Sequence, residues 1–153
     1  MSFLSSFNVV GSGLTAQQLR LDVISENVTN MNTTRTENGA PYRRKMVVLE
    51  AQDGRDSFRM ALSRARGVTV SNSGFETTGG VVVSEIAEDP SVLKVVYDPT
   101  HPDANPAGYV SLPNVDLVKE ITDAMAATQA YSASVTAFNT LKGVISKGLE
   151  IGR

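Results

Sequence analysis

The chain has 153 residues, enough for one ordinary domain or a small domain with two long extensions, and too few for a large enzyme. Its 14 basic and 16 acidic residues leave a formal charge of -2, which excludes a strong global field toward nucleic acid or an anionic membrane. It has no cysteine, which excludes disulfides and thiolate-bound zinc. We expect no transmembrane span, because no stretch approaches roughly 18 apolar residues, and no cleaved signal peptide, because the N-terminus lacks a basic and then apolar pattern.

Proline divides the chain into three parts. All six prolines lie between Gly39 and Pro113, and the segments on either side contain none. Because proline interrupts helices, this distribution predicts a helix, an irregular or β-rich middle, and a second helix. We predict an N-terminal helix over 1–32, a β-rich middle domain with a proline-rich connector over 33–113, and a C-terminal helix over 114–153. The predicted fold class is α+β, with the terminal helices forming a coiled-coil-like layer.

The N-terminal segment shows the spacing of a coiled coil. Its residues recur at alternating steps of three and four, and only one of them is polar. Gly11 and Gly13 weaken the beginning of this helix, so we place its firm start near Thr15, which can form a capping box with Gln18. The heptad positions are Phe7, Val10, Leu14, Gln17, Leu21, Ile24, Val28 and Met31.

The C-terminal segment repeats this spacing over a greater length. Asn114 is the expected N-cap, and Asp116 and Glu120 place negative charge near the helix N-terminus. A helix over residues 115–149 would be about 50 Å long, too long for a compact domain of this size. The heptad positions are Leu117, Ile121, Ala124, Thr128, Tyr131, Val135, Phe138, Lys142, Ile145 and Leu149.

The middle of the chain contains short β-prone runs bounded by Gly, Pro, Asp or Asn. We predict strands at Tyr42–Ala51, Val68–Ser71, Val81–Ile86 and Val92–Tyr97. The segment Arg55–Arg66 fits both a strand and a helix, and we favour a strand. The segment Asp98–Gly108 contains three prolines and is predicted to be an extended connector that leads back to the C-terminal helix.

The two predicted helices carry more apolar surface than they can bury against each other. Pairing them buries one narrow stripe on each and leaves flanking apolar residues partly exposed, so further neighbours are needed. We expect the terminal helices to become fully ordered when several subunits pack side by side. The flanking residues are Leu19, Val23, Val118, Met125, Leu141 and Val144.

Several motifs carry a family resemblance. The stretch Ile24–Thr34 resembles the asparagine-rich signature that ends the N-terminal helix of flagellar axial proteins, the family of rod and hook subunits. Four further stretches resemble the proximal rod members most specifically, and the resemblance extends to the last residues of the chain. One departure is Val28–Thr29, where the family often has Ile-Ala, and it keeps an apolar residue at the heptad position. The four stretches are Arg35–Lys45, Tyr97–Pro102, Gly108–Val110 and Pro113–Val115.

The resemblance implies a non-enzymatic subunit of the hollow drive shaft that crosses the periplasm in the flagellar basal body. It implies export through the flagellar type III apparatus without signal cleavage, and an inner coiled-coil layer made by the terminal helices. The implied neighbours are other rod subunits, the rod-to-ring adaptor protein and the basal-body ring, in a helical hetero-oligomer. No cofactor, metal, nucleic acid or direct membrane insertion is implied. The candidate assembly residues are Phe7, Val10, Leu14, Leu21, Ile24, Asn27, Val28, Met31, Leu117, Ile121, Tyr131, Val135, Phe138, Ile145 and Leu149.

Other interpretations of individual residues are weaker. His101 lies near two aspartates but lacks a second histidine, so a turn is favoured over a metal or acid–base site. The triplet Arg43–Lys45 is favoured as an exposed strand end or a subunit-facing charge over a phosphate contact. Asn27, Asn30 and Asn32 can either terminate the helix or bridge subunits, and the sequence leaves both open.

Two alternative functions fit the sequence less well than a proximal rod subunit. Another flagellar axial protein would share both terminal helices, but the motifs after Tyr97 favour the proximal rod. A small enzyme or regulatory module with a coiled-coil dimerisation handle would need a pocket with convergent polar groups, and residues 33–113 offer no such set.

Overall fold

The computed structural model describes residues 3–51 and 79–151. Within them the order is helix α1 (Phe3–Thr29), strands β1 (Lys45–Ala51), β2 (Val81–Glu88), β3 (Lys94–Tyr97) and β4 (Tyr109–Leu112), and helix α2 (Leu117–Ile151). Two terminal helices with short antiparallel strands between them confirm the predicted α+β class. The predictions for Arg55–Arg66 and Val68–Ser71 lie outside the described residues.

Helix α1 is regular well before Thr15, where its firm start was predicted. It runs for 27 residues through both glycines, and Thr15 is not a cap, because its Oγ1 donates to the Gly11 carbonyl within the helix at 3.2 Å. A Cβ placed on Gly13 would lie 3.8 Å from Ser134 Oγ, so α2 passes close to this glycine. The helix ends where Asn30 donates to the Glu26 carbonyl through both its backbone N–H and its Nδ2, each at 3.0 Å.

Helix α2 is 35 residues long, which corresponds to about 50 Å. Its N-cap is Asp116, whose Oδ1 accepts a hydrogen bond from the Val118 N–H at 2.9 Å. The prediction that Asn114 caps this helix is wrong, because its side chain bonds to the strand region instead. The helices are antiparallel. Phe7, near the start of α1, packs edge to face against Phe138 in the second half of α2, with ring centroids 5.0 Å apart.

The helices do not pack along all the predicted heptad positions of α2. On α2 the buried residues are Glu120 and Ala127, which share a face with the half-buried Ala124 and Ser134. Small side chains there let α1 approach closely, and this advantage outweighs a match between large apolar residues. The heptad positions Leu117, Ile121 and Leu149 are exposed as a result, whereas Phe138 is 36% exposed and still packs against Phe7 of α1. On α1 the most buried residues are Ala16, Val23, Ile24 and Asn27, so Val23 belongs to the core and not to an exposed flank.

The strands form two antiparallel pairs, β1 with β2 and β3 with β4. Lys45 pairs with Glu88 at one end of the first pair and Ala51 pairs with Val81 at the other, with a bulge between Val48 and Leu49. The strands predicted within Tyr42–Ala51, Val81–Ile86 and Val92–Tyr97 are confirmed, whereas β4 was not predicted.

The segment Asp98–Gly108 is the closed loop of the β3–β4 hairpin, so the prediction of an extended connector is wrong. The Asp98 N–H donates to the Gly108 carbonyl at 2.9 Å, and Asn105 Oδ1 accepts from the Tyr109 N–H at 2.9 Å. Gly108 has φ +79°, and a Cβ there would lie 2.8 Å from Tyr97 Cε2. Prolines exclude a helix or a central strand, but they are compatible with consecutive turns.

Candidate functional site

Asn27 lies near the end of α1 with its side chain completely buried. Its Nδ2 donates hydrogen bonds to the Lys45 carbonyl at 2.9 Å and to Glu120 Oε2 at 3.1 Å. Its Oδ1 accepts hydrogen bonds from the Tyr42 hydroxyl and from the Lys45 N–H, both at 2.9 Å. A carboxamide has two donor hydrogens and an oxygen with two lone pairs, so the hydrogen-bonding capacity of Asn27 is used entirely within the chain.

Arg44 immediately precedes β1 and reaches the first turns of α2. Its Nε donates to Oε1 of Glu120, which is fully buried, and a terminal nitrogen lies 2.9 Å from Asp123 Oδ2. Its other terminal nitrogen is 3.8 Å from Asp89 Oδ2. A buried carboxylate is costly unless it is paired and hydrogen-bonded, and Glu120 has both an ionic partner and the Asn27 amide. We call Asn27, Tyr42, Arg44 and Glu120 the buried network.

Asn114 and Asp89 hold Arg44 from its other side. Asn114 Oδ1 accepts from the Arg44 N–H at 2.8 Å, while its Nδ2 donates to Ser91 Oγ at 2.8 Å. The Asp89 N–H donates to the Arg44 carbonyl at 2.8 Å. Hydrogen bonds from the Ser91 N–H and hydroxyl, together with the nearby Arg44 cation, hold the pKa of the Asp89 carboxyl below its usual range.

Tyr42 completes the buried network. Burial, together with the negative charges of Glu26 and Glu120, raises the pKa of its hydroxyl to about 12. The hydroxyl therefore stays protonated at neutral pH and serves as a donor to Asn27. The ammonium of Lys45 pairs with Glu26 Oε1 and lies 5.6 Å from the centroid of the Tyr42 ring.

The buried network joins α1, the start of β1 and α2 in one hydrogen-bonded unit, so its role is to fix these elements relative to one another. Arg44 is buried, which contradicts the interpretation of Arg43–Lys45 as an exposed strand end. Asn27 bridges segments within the chain, and Asn30 terminates α1. The periodic apolar pattern gave no reason to select Arg44 or Glu120. The available signal was that Glu120 shares a helical face with Ala124 and Ala127.

A second feature is an apolar surface on α2 that no described element covers. Leu117, Val118, Ile121 and Met125 are exposed by 40%, 72%, 50% and 69%. At 100° per residue, Val118, Ile121 and Met125 lie roughly 100–160° around the helix axis from Glu120, on the side away from α1. We call these four residues the outer face. Helix α2 therefore has one side in contact with α1 and an apolar side that no other described element covers.

The structure places the other predicted assembly residues in two groups. On α1, Ile24 and Asn27 are buried, and Phe7, Val10, Leu14, Leu21 and Val28 are half-buried, as is Met31 just after the helix. On α2, Tyr131, Val135 and Ile145 are half-buried. Their contacts with other subunits stay a prediction.

His101 belongs to a turn, with its Nδ1 accepting a hydrogen bond from the Asp103 N–H at 3.1 Å. Asp103 in turn accepts from the Thr34 hydroxyl at 2.8 Å and so ties the hairpin loop to the segment after α1. Within residues 3–51 and 79–151, no group of three potential metal ligands is found. Neither helix in this part of the chain combines the length and apolar character needed to cross a bilayer.

The sequence is similar to flagellar basal-body rod proteins. A family model described as flagella basal body rod protein matches residues 7–35, and one described as flagellar basal body rod FlgEFG protein C-terminal matches residues 107–151. Among similar proteins, the flagellar basal-body rod protein FlgC of Bacillus subtilis is 48% identical, with 100% of both chains covered. FlgC of Borreliella burgdorferi is 40% identical over 99% of this chain and 98% of its own length, and FlgC of Escherichia coli O6:H1 is 36% identical with 100% of both covered.

Two terminal helices with matches to rod-protein models at both ends define a structural protein of the flagellar basal-body rod. Within that class, identities of 36–48% over essentially the full length show that the chain belongs to the FlgC family.

Proposed function

We propose that this rod subunit polymerises through its terminal helices into a hollow, torque-transmitting shaft, and that it acts mechanically without catalysing a reaction. The observation that carries the proposal is the outer face of α2. Helix α2 has an apolar side that α1 does not cover. That side needs a further neighbour to be buried. In this proposal, 1–32 and 114–153 form the inner helical layer and 33–113 form an outer domain.

The energetics favour repeated lateral contacts. Burying a side chain as exposed as Val118 or Met125 contributes about 1–2 kcal/mol, before the entropic cost of association. One such contact is weak, but in a tube every subunit makes the same contact with its neighbours. The predicted assembly residues outside the outer face, such as Tyr131 and Ile145, would add to this surface where they remain accessible.

The buried network supplies the mechanical connection between the helical layer and the middle domain. Arg44 and Tyr42 belong to the segment that leads into β1, whereas Asn27 and Glu120 belong to the two helices. A displacement of the helices would stretch several charged or buried hydrogen bonds at once. We infer that torque applied to the inner layer passes to the middle domain through these residues.

The proposed partners are other rod subunits, the rod-to-ring adaptor protein and the basal-body ring, in a rod that spans the periplasm. Export through the flagellar type III apparatus without signal cleavage completes the proposal. The resemblance to flagellar axial proteins supports it.

Replacing Val118 with Asp tests the outer face. We expect V118D to fold normally, because Val118 is largely exposed, and to be absent from isolated basal bodies when it replaces the wild-type subunit in cells. The matched control is V92D, which introduces the same charge at a residue 89% exposed in the segment before β3. Immunoblots of purified basal bodies and swarming assays measure incorporation. Incorporation of V118D at the level of V92D would refute assembly through this face.

A further inference from the structure

Within residues 3–51 and 79–151, no strand pairs with β1 on the side opposite β2. Both the N–H and the carbonyl of Lys45 bond to Asn27, so both groups point away from β2. In an antiparallel pair this direction alternates along the strand, so the N–H and carbonyl of Val47 point to the same side. In the described part of the chain, no loop or side chain bonds to these two groups. An unpaired strand edge of this kind can accept another strand.

A groove of about 330 Å³ runs along this edge, between β1, α1 and the start of α2. This volume is at the lower end of the range for ligand pockets, about 300–1,000 Å³. Successive β1 residues from Lys45 to Val47 line the groove, as expected when it follows the edge of a strand rather than its face. Val23 and Ile24 of α1 and Leu49 of β1 supply aliphatic walls.

The charge at the rim selects among possible occupants. Of the cations that line the groove, Arg44 is neutralised by Glu120 and Asp123, and Lys45 by Glu26. Lys119 is exposed at the rim, and within residues 3–51 and 79–151 it makes no ion pair. Arg20 lies 3.6 Å from Asp123 and is partly exposed. The groove therefore combines aliphatic wall residues with an exposed cation, Lys119, at its mouth, and Asp123 is the one carboxylate among its described lining residues.

We propose that this groove binds an extended, acidic segment of a neighbouring protein subunit, which pairs as a third strand with β1 at Val47. The bound segment places an aliphatic side chain against Val23 and Leu49 and a carboxylate beside Lys119. Main-chain hydrogen bonds supply affinity, and the side-chain pockets and rim charge supply selectivity. This contact is separate from the proposed helix-mediated assembly, because it uses the sheet edge and leaves the outer face free.

The test uses the full-length chain and the peptide acetyl-Glu-Val-Thr-Val-Glu-amide. We expect the peptide to shift the Val47 amide resonance and to slow its hydrogen exchange. K119E should weaken binding about fivefold, because it replaces attraction by repulsion at the rim. The matched control is K94E, a charge reversal at an exposed position of β3, which should change binding less than twofold.

Two further peptides separate pairing from simple charge attraction. A version with both Glu replaced by Lys tests the rim, and a version N-methylated at alternate residues tests the main-chain hydrogen bonds. Both should bind more weakly. The inference is overturned if Val47 is already protected from exchange without peptide, if it does not respond at about 1 mM peptide, or if K119E and the control peptides bind equally well. M125D, which places the charge on the outer face six residues from Lys119, should bind the peptide normally, so a failure here is distinguishable from a failure of helix-mediated assembly.

Discussion

Replacing Asn27 with Ala is the most direct test of the buried network. The substitution removes four hydrogen bonds from a completely buried side chain. Each typically contributes about 1 kcal/mol net, but a buried group left without a partner costs about 1–3 kcal/mol. The Lys45 N–H and carbonyl and the Tyr42 hydroxyl would all lose this partner. We expect the free energy of unfolding to fall by about 3–5 kcal/mol, a large part of a typical stability of about 5–15 kcal/mol.

Urea unfolding of the purified chain, followed by circular dichroism, measures this loss. The control is N32A, since Asn32 is exposed three residues beyond the end of α1 and its change should stay within about 0.5 kcal/mol. Y42F removes only one of the four hydrogen bonds and should cost about 1 kcal/mol, which keeps the test informative if N27A fails to fold. A loss below about 1 kcal/mol for N27A, with an unchanged urea dependence, would contradict the role assigned to this residue.

Two further outcomes are expected. G108A should destabilise the chain by several kcal/mol in thermal unfolding, because Gly108 has φ +79° and a new Cβ would clash with Tyr97. The control is G39A, at φ +75° in open space, which should cost only about 1 kcal/mol. Equal losses for the two variants would refute the clash. The pKa of Tyr42 is raised to about 12 in the folded chain, so the stability from its protonated hydroxyl is full below about pH 10 and is lost as the pH rises toward 12. The free energy of unfolding of the wild type should fall by about 2 kcal/mol more than that of Y42F over this window, as measured by denaturation at several pH values. Identical pH profiles of the two proteins would exclude the effect.

Part of the fold could be predicted from local patterns. The placement of prolines separates the helices from the middle, and β-branched runs such as Val81–Val83 indicate strands, because these features act over a few residues. The N-terminal helix was predicted over 1–32, but its firm start was placed near Thr15, twelve residues too late, because the penalty for Gly11 and Gly13 was estimated for an isolated helix. Contact with α2 changes this balance, and no local pattern contains that information.

The candidate site was less predictable than the fold. Asn27 was selected on resemblance, but its partners are distant: Glu120 is 93 residues away in the sequence. In the sequence Arg44 is one of three consecutive basic residues. It becomes a buried ion-pair partner only because α2 packs against it. Such pairings depend on which segments meet in space, and a single sequence does not record this.

The sequence by itself determined the two long helices, the β-prone middle and an excess of apolar surface on the helices, because period, propensity and composition are properties of neighbouring residues. Only the tertiary structure decided which helical faces meet. Small residues such as Ala16, Ala127 and Ser134 permit close approach of the backbones, so they form the contact while Ile121 and Met125 turn outward. Close packing depends on the shape of both surfaces at once, and this joint shape exists only after the chain has folded.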